Sequence, residues 1–417
     1  MSPAEILKTI SLALGLLSAL CYAYQIVYLF LPLLKKPHKL QAEKPLRYAI
    51  LIAARNEEAV LPHLLQSIRA QDYPSRLFTT YVIADNCTDR TAQVAEESGA
   101  RVFTRFDRTQ VGKGYALNFL LERIAAADGL ENYDAFLVFD ADNLLRPDFI
   151  RQINRVASAG YDVFCSYRNS KNFGTNWVSA GHGVWYLHES VHLNHSRMLL
   201  GNPCMVNGTG FGFARQLLEK CGGWHFFTLT EDMEFSVWCI THGVRAGYCG
   251  DAMLYDEQPQ TFRQSWRQRT RWIQGGVQVS IRYAGELFLG VLRGGRKSLH
   301  CMEAITLSLW GYGAGFLCTV LSLVATYLSS GVAGLCWALL WILVSAYLTA
   351  FGVGAITLAT EKKRIRATRT QKIMGLFAFP VHMLTYIPIA ASALFRKYHW
   401  PPIEHTAAVS ITEIGKE

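Results

Sequence analysis

Two carboxylates, Asp140 and Asp142, stand one residue apart at the end of the apolar run "AFLVFD". If the strand continues through them, the alternation of side chains puts both on one side. Like charges that close repel, so a positive group should sit between them. A divalent cation carrying a diphosphate would suit the pair, because magnesium keeps several waters and takes one or two carboxylates together with phosphate oxygens. The plainer alternative is two solvated loop carboxylates. Asp85 ends the run "TTYVIAD". It could accept a hydrogen bond from a nucleobase or ribose, or cap the helix that starts near Thr88. "TLTED" sets Glu231 and Asp232 behind Thr230, itself a good helix cap, and Glu234 adds a third acid. A carboxylate at a helix start is favoured in its ionised form. "FRQSWRQRTRWIQGG" interleaves four arginines, Arg263 to Arg271, with Trp266 and Trp272. Arginine binds phosphate bidentately, and tryptophan offers a flat face to a sugar ring. The alternative is an exposed basic helix beside a membrane.

Taken in order, "VIAD", "FDAD", "TED" and "QRTRW" resemble the motif series of the family 2 glycosyltransferases, in particular their membrane-embedded processive branch. That branch includes hyaluronan, chitin, cellulose and poly-N-acetylglucosamine synthases. The resemblance covers about Tyr48 to Gly276. It implies an α/β GT-A fold, a UDP-sugar donor and Mg2+ or Mn2+. It also implies inverting transfer of a hexose to a growing β-linked polysaccharide or oligosaccharide at the membrane. Single transfer to a membrane lipid or primer is the alternative, because Q-x-x-R-W also occurs in ceramide glucosyltransferases.

By the same resemblance, Asp85 contacts the uridine and Glu57 of "ARNEE" joins the donor side. Asp140 and Asp142 hold the metal and diphosphate. Lys113 of "VGKGYALN" neutralises donor phosphate, unless it is simply solvated. Asp232 is the catalytic base. Gln268, Arg271 and Trp272 close over the diphosphate and the acceptor sugar. Gly208, Thr209 and Gly210 of "NGTGFGFAR", with Glu231, border the acceptor, where small residues let backbone approach a sugar; a tight turn into the following helix is the alternative there. Such a transferase needs one base for the acceptor hydroxyl, and its leaving group is already a diphosphate.

These residues need a scaffold that gathers strand ends. "YAILIAA", "TTYVIAD", "RVF" and "AFLVFD" read as strands, and helical patterns separate them at Glu58–Gln71, Thr88–Ser98 and Gly114–Ala127. The alternation predicts a mostly parallel α/β sheet, with ligands at the carboxyl ends of its strands.

The remaining sequence is membrane-like. Mean hydropathy is +0.14 over 417 residues, of which 51% are hydrophobic and 18% charged. Four uncharged or nearly uncharged runs are long enough to cross a bilayer: about Ile10–Leu34, Ala304–Leu328, Val332–Ala359 and Ile373–Phe395, the last interrupted by Pro380 and Pro388. Basic residues flank them in "KKPHK", at Arg293–Lys297 and in "EKKRIRATRTQK". This asymmetry predicts a multi-pass plasma-membrane protein with the region from Lys35 to His300 in the cytosol and both termini outside. The net charge of +9 sits beside the spans, which suits anionic lipid and excludes a nucleic-acid partner. The expected organisation is an anchor (1–36), a GT-A domain (45–276), an interfacial helix (277–300), a membrane region of about three helices (301–397) and a tail (398–417). No export subunit can be read from the chain.

One stretch points elsewhere. "HESVH" at His188–His192 matches the H-E-x-x-H zinc-hydrolase pattern, and His195 adds a third imidazole. On a regular α-helix the three would share a face. An amphipathic helix with a polar face explains the same spacing.

Overall fold

Continuous runs of β-branched and aromatic residues form strands buried on both faces, because helices cover each side of a parallel sheet. The computed structural model describes residues 3–35, 40–42 and 44–395; the expected basic flank at 36–39, Arg396–Lys397 and the tail lie outside them. Two helices come first, α1 (Pro3–Tyr22) and α2 (Tyr24–Leu34). They precede β1 (Tyr48–Ala54), α3 (Leu61–Arg69), β2 (Phe78–Asp85), α4 (Thr91–Glu97), β3 (Arg101–Arg105), α5 (Lys113–Ala127) and β4 (Ala135–Asp140). A second series follows: β5 (Leu144–Leu145), α6 (Phe149–Ser158), β6 (Val163–Ser170), α7 (Trp177–His188), α8 (His195–Leu200), β7 (Phe211–Ala214), α9 (Arg215–Cys221), α10 (Glu231–Thr241) and β8 (Ala246–Asp256). The last helices are α11 (Phe262–Arg282), α12 (Ala284–Leu292), α13 (Gly295–Thr306), α14 (Leu309–Glu361), α15 (Arg369–Leu384) and α16 (Tyr386–Phe395).

All eight strands join one sheet in the order β3-β2-β1-β4-β7-β6-β8-β5. β3, β2, β1 and β4 are mutually parallel; β7 runs antiparallel between β4 and β6. Alternate residues separate the two cores. Leu51, Tyr81, Phe136 and Val138 pack against α5, while Ile50, Ile52, Val82 and Phe139 pack against α3 and α6. The first core also takes in Leu358 of α14 and Phe379 of α15, so the sheet domain and the last helices share packing.

Among the described residues, three helices are long and apolar enough to cross a membrane: Ala4–Leu34, Leu309–Glu361 and Arg369–Phe395. The two middle runs of the sequence are therefore arms of one 53-residue helix, α14, broken at Gly331 (φ 63°, ψ −160°). Each arm, at ~1.5 Å per residue, is long enough for a hydrocarbon core of ~30 Å. These helices present large apolar side chains outward, such as Leu20 (74% exposed) and Phe316 (73%). Tyr28 ties α2 to the rest: its hydroxyl donates to Glu303 Oε2 at 2.9 Å, and Arg197 pairs with the same carboxylate at 2.6 Å.

Candidate active site

The carboxyl ends of β1, β2 and β4 lie side by side, with Ala54 opposite Ala84 and Ala53 opposite Asp140. The chain winds outward through β2 and β3, then returns to β4 on the other side of β1. Such a reversal opens a crevice at the strand ends.

On one side of the crevice, Asp85 is buried and accepts from Arg105 Nη1 at 2.7 Å, a guanidinium as buried as itself. Asn86, in the left-handed region at φ 55°, donates to the same oxygen at 3.2 Å. Asp85 does not cap a helix. The cap position of α4 is Arg90, without a side-chain cap bond; Asp89 just before it accepts from Thr91 N–H at 3.0 Å through Oδ1 and from Glu58 N–H at 3.2 Å through Oδ2. Glu57 N–H donates to Thr91 Oγ1 at 2.8 Å, which fastens the β1 loop to the start of α4.

At the centre, β4 ends at Asp140, and residues 141 and 142 form a turn. Strand alternation therefore never reaches Asp142, and the expected face-sharing pair is not formed that way. The Asp140 side chain is 38% exposed, whereas Asp142 is buried. Lys113 Nζ donates to Asp140 Oδ1 at 2.5 Å and to Gly208 O at 2.6 Å, so this lysine is not a solvated one. Asp142 accepts from Glu257 N–H at 2.9 Å and from Asn143 Nδ2 at 3.2 Å. Nearby, burial pulls the Lys171 ammonium below its usual range, while Asp142, Glu257, Asp256 and Glu57 favour its charged form.

The glycine loop closes over this centre. Thr209 Oγ1 accepts from Asp140 N–H at 2.9 Å and donates to Asn143 Oδ1. Gly210 N–H donates to Val138 O at 2.9 Å. Gly208 and Gly210 have φ of 76° and 63°, and a Cβ on Gly210 would lie 2.0 Å from Leu254 Cδ2. A Cβ on Gly208 would lie 3.5 Å from Asp232 Oδ2. Asp232 thus faces the loop whose carbonyl holds Lys113. Arg168 braces the loop, donating from Nη1 to Asn207 O at 2.8 Å and from Nε to Asp256 Oδ2 at 2.6 Å, with its guanidinium 3.7 Å above the Tyr186 ring.

Glu231 and Asp232 open α10. Thr230 occupies the cap position without a side-chain cap bond; Glu234 reaches back instead to accept Thr228 N–H at 2.9 Å. Burial pushes Glu231 up to about 7, with help from Asp232, and also raises Asp232; Lys113 and Arg271 oppose the shift of each. The N–H groups at the helix start favour the ionised form of Asp232, as that position implies, but desolvation outweighs them.

In α11, Arg271 Nη1 donates to Leu229 O at 2.7 Å, just before the acid pair. Trp272 meets His182 and Tyr186 edge-on, with ring centroids 5.9 Å and 6.3 Å away. Gln268 Oε1 is buried without a partner among the described residues. Arg269 is no exposed helix charge. It is fully buried, and Nη1 donates to His382 O at 2.9 Å and Thr385 Oγ1 at 2.8 Å, where α15 gives way to α16.

The zinc pattern fails on geometry. Residues Glu189–Asn194 form a π-helical turn, which changes the angular step that one-face spacing needs. His188 and His192 rings stack at 5.4 Å, but His195 lies against Tyr248. No three metal-ligating side chains converge among the described residues. Burial lowers His188 to about 3 and His192 to about 4, as suits neutral packed imidazoles.

Arg105, Arg168, Asp256 and Lys171 were not anticipated. Their only local signal is a charge inside or just beyond an apolar strand.

A family model described as "Glycosyltransferase like family 2" matches residues 45–275. The beta-monoglucosyldiacylglycerol synthase of Synechocystis sp. is 28% identical over 240 residues, 56% of this chain and 48% of that protein. The poly-beta-1,6-N-acetyl-D-glucosamine synthase of Staphylococcus epidermidis is 24% identical over 238 residues, 56% of this chain and 55% of that protein. The chain thus spans about half the length of these relatives. Its fold is similar to that of the mannosyltransferase PcManGT from Pyrobaculum calidifontis, solved in complex with GDP-Man and Mn2+ (TM-score 0.55, 18% identity, 93% of this chain and 99% of that one). The sheet and its crevice are those of a GT-A fold.

Proposed function

The chain belongs to glycosyltransferase family 2, and from that footing we propose that it transfers a hexose, with inversion, from a UDP-sugar to a growing β-linked saccharide held at the membrane. The observation that carries the reading is the series Asp140–Lys113–Gly208, with Asp232 facing the same glycine loop, which sets a diphosphate-ready carboxylate across that loop from a raised one.

In this reading the Arg105-fixed Asp85, with Glu57, receives the nucleoside. Asp232 takes the proton as the acceptor oxygen attacks the anomeric carbon. Lys113 and Arg271 face the diphosphate that leaves, and Gln268 and Trp272 border donor and acceptor. Gly208, Thr209, Gly210 and Glu231 shape the acceptor side. Mg2+ or Mn2+ fits Asp140, whose half-exposed carboxylate has one oxygen on Lys113; Asp142 would stand behind it. Such an ion neutralises charge developing on the diphosphate.

The likeness to the glucosyldiacylglycerol synthase favours a second reading, one sugar added to a membrane glycerolipid. A panel of UDP-Glc, UDP-GlcNAc, UDP-GlcA and GDP-Man offered to purified protein in lipid vesicles tests both. A ladder of saccharides is expected. A single solvent-extractable glycolipid would replace the first reading with the second, and no transfer would remove both. The catalytic region is proposed to be cytosolic in the plasma membrane, so a protease-accessible tag near Gly129 should be protected in intact cells; cleavage there would invert the topology.

A further inference from the structure

The acid of the "HESVH" stretch remains unaccounted for once zinc is set aside. We infer that Glu189 is an acceptor-binding residue, whose carboxylate hydrogen-bonds a hydroxyl next to the one that is attacked, so that the acceptor must end in a sugar. The inference rests on the glycosyl-transfer reading above.

Glu189 follows the last residue of α7 and opens the π-helical turn. Single π turns inside helices recur at functional sites, because they re-aim a side chain out of the regular helical step. The Glu189 side chain makes no hydrogen bond or ion pair with any described residue. Its two cationic neighbours, Arg168 and Arg197, are committed elsewhere. Arg168 holds Asp256 and Asn207 O, while Arg197 donates to Glu303 Oε1 at 2.8 Å and to Asn194 Oδ1 at 3.1 Å. Those guanidiniums lend Glu189 positive potential without using its lone pairs.

The surroundings are desolvated enough that burial raises this carboxyl to about 7, yet the residue keeps accessible surface. Both hold for a group that is desolvated yet still reachable. Arg168 ties this turn to the glycine loop: its N–H donates to Ser190 Oγ at 3.2 Å, its guanidinium stacks on Tyr186 and its Nη1 donates to Asn207 O. Asp232, which faces the same loop, is the third charged neighbour of Glu189.

A desolvated carboxylate without donors is costly, and whatever docks beside it must supply them. An acyl chain supplies none. A bare diacylglycerol has one hydroxyl, which the base takes. A terminal sugar presents further hydroxyls beside the attacked one, and aromatic faces next to the acid pair suit its ring.

The test compares wild type with Glu189→Gln and Glu189→Ala on a saccharide-ended acceptor and on diacylglycerol, recording acceptor KM, kcat and UDP affinity. A lost hydrogen bond to a charged group should raise KM for the saccharide acceptor roughly 10- to 100-fold in the alanine variant. The rise should be smaller in the glutamine variant, which still accepts a hydrogen bond. UDP affinity should stay at the wild-type value in both. An unchanged KM in both variants, with transfer intact, overturns the assignment alone. So does an equal rise on diacylglycerol, or a glutamine variant that loses UDP affinity, which would make Glu189 a structural residue. A wild type that binds UDP and transfers to neither acceptor overturns the glycosyl-transfer reading itself.

Discussion

Two sets of carboxylates face the same crevice and are treated in opposite ways. On the side proposed for the donor three acids each hold a cation: Asp85 with Arg105 at 2.7 Å, Asp140 with Lys113 at 2.5 Å, and Asp256 with Arg168 at 2.6 Å. On the acceptor side Glu231, Asp232 and Glu189 have no ion-pair partner among the described residues. The first arrangement holds charge at balance, so an incoming ion and diphosphate meet a preset field. The second leaves acids in a desolvated place with only the more distant pull of Lys113, Arg271, Arg168 and Arg197. Burial therefore raises each of them, which favours a proton acceptor at ordinary pH. In the proposed reaction the contrast would let one crevice bind an anion and deprotonate an alcohol, because pairing, rather than residue type, differs between its walls.

The contrast can be attacked at its strongest point first. Asp140→Asn, or chelation of divalent metal, should remove at least about 10³-fold of the transfer rate, since metal stabilisation of a leaving group is worth several kcal/mol. Full activity in chelator would show that the donor wall needs no ion. Asp232→Asn should lower transfer about 10²–10⁴-fold while UDP affinity, read by calorimetry, stays near wild type. If UDP binding disappeared as well, Asp232 would belong to the donor wall; if Glu231→Gln were the dead variant and Asp232→Asn active, the neighbour would be the base.

Smaller effects concern stability. Arg105→Met leaves Asp85 buried and unpaired and should destabilise the fold by about 3–5 kcal/mol, a loss partly recovered by adding Asp85→Asn. Equal unfolding midpoints for wild type and Arg105→Met would show that the donor-side pairing is incidental. The smallest effect is on the unpaired wall. Glu231 is raised in the folded state to about 7 from an unfolded value of 4.5, so its ionisation opposes folding above pH 7 and the penalty is gone below about pH 4.5. Glu231→Gln should therefore melt higher than wild type at pH 8, with the gap closing as pH falls towards 5. A gap that widened on acidification would mean that Glu231 is stabilised as an anion.

Half of this site could be read from the chain. β2 and β4 are apolar runs that end abruptly in acids, and strand ends in a parallel sheet gather by topology alone. Asp85 and Asp140 follow from that, whereas Asp232 opens a helix and was legible through its motif. Their partners do not, because Arg105 lies 20 residues from Asp85 and Arg168 lies 88 from Asp256, and only the folded register brings them together. The β7 strand is four residues long and antiparallel, so "GFGFA" looks like a turn until β4 and β6 are seen on either side. The π-helical turn at Glu189 has no sequence period of its own, which is why three histidines appeared to share a face. Asp142 was misplaced for a simpler reason: the strand stopped two residues early.

Arg269 has a practical consequence for anyone cutting this protein. Its guanidinium bonds the carbonyl of His382 and the hydroxyl of Thr385, and Gln274 Nε2 reaches Ala393 O at 2.8 Å. The helix that carries Arg271 and Trp272 is thus riveted to the final membrane segment from inside. A water-soluble fragment ending at residue 276 would keep every motif and lose the His382 and Thr385 acceptors of a fully buried cation, leaving its Nε the longer bond to Ser265 O. Such a fragment should be expected to precipitate or to loosen at α11, and the smallest workable unit for crystallisation or assay runs through at least Phe395.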